Sequence, residues 1–173
     1  MCLLFKVQIM KGIKKIFYFI FAIFLFCYFF YLLDKNAILE IKQQDFKTFV
    51  YLGLIASSFF SFVFSFFSFE KIRTKFILSF LPTIAIIQIL CFGIVRTIFV
   101  SSAWKTQSVI YQNQFDSSKK VEFQMLDIGA FGYRRRTVEV NYITNWFFIS
   151  KEKGIYNSDW KKVNLEVNEL GLK

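Results

Sequence analysis

Three long stretches of this chain carry no charged residue: Ile16–Leu33, Phe49–Phe69 and Phe76–Val95. They hold 18, 21 and 20 residues, which as helices rising about 1.5 Å per residue reach roughly 27 to 32 Å. The hydrocarbon core of a bilayer is about 30 Å thick. A soluble fold would have to bury all three runs within the first hundred residues. The expected class is therefore a membrane α-helical protein with three transmembrane helices. Residues 101–173 are left over for a small extramembrane domain of α+β or mostly antiparallel β type.

The net charge of +10 resembles a nucleic-acid signal until it is divided by region. Residues 1–100 carry eleven Lys/Arg against four Asp/Glu, a balance of +7; residues 101–173 carry eleven against eight, a balance of +3. Most of the excess thus flanks the apolar runs, where basic residues set topology and attract anionic headgroups. A nucleic-acid binder concentrates its excess in the soluble part. No nucleic-acid partner is expected; the bilayer is.

Lys6, Lys11, Lys14 and Lys15 lie in the basic N-terminal stretch 1–15, and Lys71, Arg73 and Lys75 fill the short second connection. The first connection, Asp34–Thr48, is balanced, with Lys35, Lys42 and Lys47 against Asp34, Glu40 and Asp45. The positive-inside rule then puts the N-terminus in the cytoplasm and the C-terminal domain outside, on a bacterial inner membrane. Arg96 argues weakly the other way. Met10 is an alternative start, since Met10–Lys15 itself opens a membrane helix well.

Histidine is absent, and the three cysteines, Cys2, Cys27 and Cys91, lie outside the C-terminal part. No thiolate zinc site or disulfide framework can be assembled from them. No catalytic, metal or cofactor motif is present: Gly129–Gly132 does not meet the dinucleotide pattern, and there is no phosphate loop. Asp127 and Glu139 are the nearest paired carboxylates. The chain reads as a non-enzymatic protein without a cofactor.

Within the second run, Gly53, Ser57, Ser61, Ser65 and Ser68 fall on one helical stripe. Small residues at this spacing allow close helix approach, either inside one bundle or between copies, which would make a homo-oligomer through this helix. In the third run, Pro82 comes in the second turn and Gln88 near the middle, where an interhelical hydrogen bond is expected.

Beyond Val100 the periodicity becomes strand-like. Val121, Phe123 and Met125 alternate with polar residues, as do Val138, Val140 and Tyr142, while Trp146–Ser150 is a short aromatic run. With Val109–Gln114 in front, and turns at Asp116–Lys119 and Lys151–Gly154, these describe a meander of four or five antiparallel strands. Residues 159–170 are ambiguous. Trp160, Val163, Val167 and Leu170 have helical spacing, with Ser158 as cap and Gly171 as stop, yet Val163, Leu165 and Val167 alternate. A short helix lying on the sheet is the expectation. Trp146, Phe147 and Phe148 are expected in the sheet core, with a membrane anchor as the alternative.

Arg134, Arg135 and Arg136 follow the glycine-bearing turn Gly129–Gly132. They suit an anionic contact, either lipid phosphate or an acidic protein, or else pair with Asp127 and Glu139. Alternation makes Arg135 the most exposed, with Glu139 as its expected partner, while Arg134 and Arg136 reach past the sheet edge. The expected function is an integral membrane protein whose C-terminal domain binds a protein partner or lipid headgroups. An accessory subunit, an immunity-type protein or a defence-associated protein would each have this form. The alternative is an oligomeric pore or small transporter built on the serine stripe.

Overall fold

The computed structural model describes residues 2–92, 102–152 and 159–172. Arg96, the Lys151–Gly154 turn beyond Glu152, the Ser158 cap and the end of the third apolar run lie outside them. The chain divides into two compact units: Met1–Tyr31 with Phe49–Ile98, and Leu32–Thr48 with Phe99–Lys173.

The first unit holds three helices: α1 (Cys2–Lys35), α2 (Gln44–Ser68) and α3 (Ile72–Phe92). Each is long and apolar enough to cross a membrane. The basic stretch 1–15 is not a separate tail. Helix α1 runs through it for 34 residues, roughly 51 Å, so its first turns extend beyond the charge-free run. Likewise α3 begins at Ile72, which moves Pro82 past the second turn into the helix interior. The proline there has no N–H to offer the Leu78 carbonyl.

Helix α1 touches both others. Tyr31 and Tyr51 meet edge to face at 5.4 Å, and the Tyr28 hydroxyl makes a long hydrogen bond of 3.4 Å to Gln88 Oε1. A Cβ added at Gly53 would come within 2.9 Å of Cys27 Sγ, so glycine is what lets α1 and α2 approach there. Further along the same stripe Ser57, Ser61, Ser65 and Ser68 are all buried. Ser65 donates to the Phe62 carbonyl at 2.7 Å, whereas the Ser57, Ser61 and Ser68 hydroxyls have no partner among the described residues. The stripe is occupied by packing within its own chain. Ser61→Leu is therefore expected to lower thermal stability by about 1–3 kcal/mol through overpacking. Ser61→Ala should be neutral or stabilising, because it removes an unpaired hydroxyl. Thermal unfolding of the purified chain in detergent reads both.

The second unit is a six-stranded antiparallel sheet in the order β1-β5-β4-β3-β2-β6. Its strands are β1 (Glu40–Ile41), β2 (Lys105–Asn113), β3 (Lys119–Asp127), β4 (Tyr133–Tyr142), β5 (Phe147–Glu152) and β6 (Trp160–Glu166). The expected meander is β2 to β5. Its first turn is closed by Asp116 Oδ1, which accepts from the Ser118 N–H at 3.0 Å.

Both edges differ from expectation. At one edge β1 comes from the first interhelical connection and pairs with Phe147 and Phe148 of β5. The domain is thus not confined to residues 101–173 but incorporates Leu32–Thr48. At the other edge, residues expected to be helical form β6, because an uncovered β2 would leave a row of unpaired backbone groups. Helical and alternating spacing compete in this segment, and the β2 edge decides between them. Asn164, at φ 46°, takes the left-handed turn of a bulge, where Val109 pairs with Leu165 but Tyr111 with Lys162. Gly171 closes a turn onto the Asn168 carbonyl at 3.0 Å rather than stopping a helix.

Register decides what faces what. Glu122 lies opposite Val138, and Gln124 opposite Arg136. The apolar stripe of β4 thus shares a face with the polar residues of β3. Val138, Val140 and Phe148 form the core on that face, with Trp104 and Tyr142 packed against them. Val121 and Met125 are buried on the other face. The aromatic run is divided: Phe148 is fully buried, while Trp146 is half exposed and meets Phe46, in the first turn of α2, at 5.7 Å.

Candidate functional site

The core face of the sheet carries a continuous polar network. Glu122 is 2% exposed, and its carboxylate accepts from Thr106 Oγ1 at 2.7 Å and from Gln124 Nε2 at 2.9 Å. The Tyr142 hydroxyl donates to the same carboxylate, 3.0 Å from each oxygen, and accepts from Lys42 Nζ at 2.8 Å. Lys42 in turn pairs with Glu169 at 3.0 Å, and the Thr106 N–H donates to the other Glu169 oxygen at 2.8 Å.

Burial would lower the pKa of the Lys42 ammonium, but the Tyr142 hydroxyl and the Glu169 carboxylate outweigh it and hold it above the usual lysine value. Burial, and then the Glu122 charge, push the Tyr142 hydroxyl up against the opposing pull of Lys42. At neutral pH Lys42 is therefore charged and Tyr142 protonated, as their hydrogen bonds require.

On the other side of Gln124 the network continues through Arg136. Its Nε donates to Gln124 Oε1 at 3.0 Å, and its two terminal nitrogens grip Glu40 at 3.2 and 2.6 Å. The guanidinium also lies 4.1 Å over the Trp104 ring. Ser150 Oγ donates to Glu40 as well. A separate buried pair, Lys47 with Asp34 at 2.9 Å, closes the first connection on itself, and Asp34 also accepts from the Ile41 N–H at 2.9 Å.

The arginine trio is therefore split. Arg136 does not reach outward but is committed to Glu40, a residue 96 positions away. Arg135 does not pair with Glu139. Four residues along one strand separate them by about 13 Å. Arg134 and Arg135 are exposed and make no ion pair among the described residues.

The turn that presents them is well defined. Asp127 Oδ1 accepts from the Gly129 N–H at 2.7 Å, a 3-10 turn spans Gly129–Phe131, and the Gly132 N–H returns to the Gly129 carbonyl at 3.0 Å. Gly132 has φ 86° and ψ −136°, a conformation that only glycine adopts without strain. At its tip Phe131 is 80% exposed, and Tyr133 is exposed beside the arginines. Asp127 pairs in register with Tyr133, and Glu139 with Val121. Six residues of strand, about 20 Å, keep these two carboxylates from acting as an acid/base pair.

Sequence reasoning missed Glu40, Lys42, Glu122, Tyr142 and Glu169 as one assembly. One signal was present: the balanced charge of the first connection. Among its charged residues, Asp34, Glu40, Lys42 and Lys47 stand in ion pairs. Neither a scan of protein-family models nor searches of curated proteins and solved structures return a match to this chain.

Proposed function

We propose that this chain is a membrane-anchored, non-enzymatic binding protein whose six-stranded domain engages an acidic protein surface. The contact is the end of the β3–β4 hairpin. The observation that carries this reading is the grouping of two exposed arginines, Arg134 and Arg135, which make no ion pair among the described residues, with exposed Phe131 and Tyr133 on a hydrogen-bonded turn. Arginine and aromatic side chains are the usual anchors of protein interfaces. The internal network of Glu40, Arg136, Lys42 and Glu169 serves as scaffold, holding the first connection to the domain.

In this proposal the chain crosses a bacterial inner membrane three times, with the N-terminus cytoplasmic and the domain outside. The union of residues 32–48 with the C-terminal strands agrees with this count, since an odd number of crossings brings both to one side.

A photo-crosslinking side chain at position 131 of the full chain, in its native membrane, tests the contact. A protein adduct should form, fall about tenfold in Arg134→Gln/Arg135→Gln, and weaken with added salt. An adduct that ignores the arginines would overturn the reading. Adducts to lipid alone would transfer the hairpin to the headgroup layer.

A further inference from the structure

The helix unit has a cleft of its own, at the end where α1 enters its charge-free run and α2 turns into α3. It encloses about 250 Å³ and is lined by Met10, Lys14, Phe69, Glu70, Lys71 and Thr74. Lys14 Nζ stands 5.9 Å from the centre of the Phe69 ring. Neither Lys14 nor Lys71 forms an ion pair among the described residues. Two cations thus converge on one cleft without an internal counter-charge bonded to either.

Position along the chain gives the depth. Lys14 precedes the run that starts at Ile16, Glu70 and Lys71 follow the run that ends at Phe69, and Thr74 precedes the run that starts at Phe76. Every polar lining residue therefore lies where a spanning helix leaves the hydrocarbon, at the level of lipid phosphate. Exposed Phe67, Ile72 and Phe76 offer apolar surface next to it. Lys11, Lys15, Arg73 and Lys75 add positive potential nearby, as does the N–H end of α3, to which Thr74 belongs.

We infer that this cleft holds the headgroup of one anionic phospholipid. Lys14 and Lys71 are the charged donors to its phosphodiester, and the Thr74 hydroxyl is a neutral donor. Glu70, the one acidic lining residue, selects among headgroups: it accepts from a headgroup hydroxyl, as in phosphatidylglycerol. The excess positive charge around the cleft disfavours a quaternary amine. This site is independent of the arginine hairpin in the other unit, and its failure would leave that reading standing.

The test uses the full chain, purified and delipidated in mild detergent, with native mass spectrometry to count bound lipid. Phosphatidylglycerol should be retained at least tenfold more strongly than phosphatidylcholine of the same acyl chains. Lys14→Gln/Lys71→Gln should lose about 25-fold in that retention, at roughly a factor of five per lysine near a headgroup. Lys11→Gln/Lys15→Gln removes the same charge outside the cleft and should lose much less. Lys14→Arg/Lys71→Arg should keep the binding, and unchanged far-ultraviolet circular dichroism confirms that each variant is folded. Equal loss in both Gln pairs would show a diffuse field instead of a site and overturn the inference. Displacement of the lipid by millimolar inorganic phosphate would also overturn it, by making a soluble anion the ligand.

Discussion

Arg136→Met should destabilise the six-stranded domain by about 3 kcal/mol, the lower end of the range for breaking a buried ion pair from one side. The lower end applies because the Arg136 side chain is 21% exposed. Its partner Glu40 is 4% exposed and, among the described residues, would keep only the Ser150 hydroxyl as a side-chain donor. Gln124 would lose its bond to Nε, and Trp104 its stacked cation. The double variant Glu40→Gln/Arg136→Met should recover most of the loss, since no carboxylate is then left buried. Denaturant unfolding of the full chain, followed by tryptophan fluorescence, measures the cycle. A second readout is local: hydrogen exchange at Ile41 should speed up, because Glu40 is half of the two-residue strand β1. A variant as stable as the parent, with Ile41 still protected, would show that the pair does not hold the first connection.

Lys47→Met should cost as much or more, about 3–4 kcal/mol. Lys47 and Asp34 side chains are only 6% and 3% exposed, so water screens their interaction less than it does the Arg136 pair. Removing the ammonium leaves the Asp34 carboxylate buried without that cation, although the Ile41 N–H still reaches it at 2.9 Å. Asp34→Asn/Lys47→Met should again be milder than the single change. The two pairs lie at different points of the same connection, so their effects should combine less than additively if residues 32–48 undock as a unit. Strict additivity would mean that each pair holds its own neighbourhood alone.

The residues that could be read directly are those whose role is set by their own segment. Charge-free length produced the three helices, and alternation within Val121–Met125 and Val138–Tyr142 produced β3 and β4. The Asp116 turn was visible because an aspartate two residues before a serine can bond its backbone locally. The exposure of Arg135 beside the glycine turn belongs to this class as well.

Other features depended on partners far away in sequence. A two-residue strand such as Glu40–Ile41 has no periodicity to detect, and it exists only because Phe147 and Phe148 offer an open edge. Helical and strand spacing were both present in 160–170, and the free edge of β2 selected the strand. Glu122 and Gln124 alternate with apolar residues in β3, and alternation shows that two faces exist without showing which is covered. The register with β4 put Val138 and Arg136 across from them, and that face became the core. Arg136, one of three consecutive arginines, was thereby drawn to Glu40 while its neighbours stayed outside. Side-chain hydropathy is a property of each residue, whereas burial and pairing depend on which backbones align. In this chain the sequence alone determined the helices and the meander, and the register of the sheet determined which charges are buried and which are free to bind.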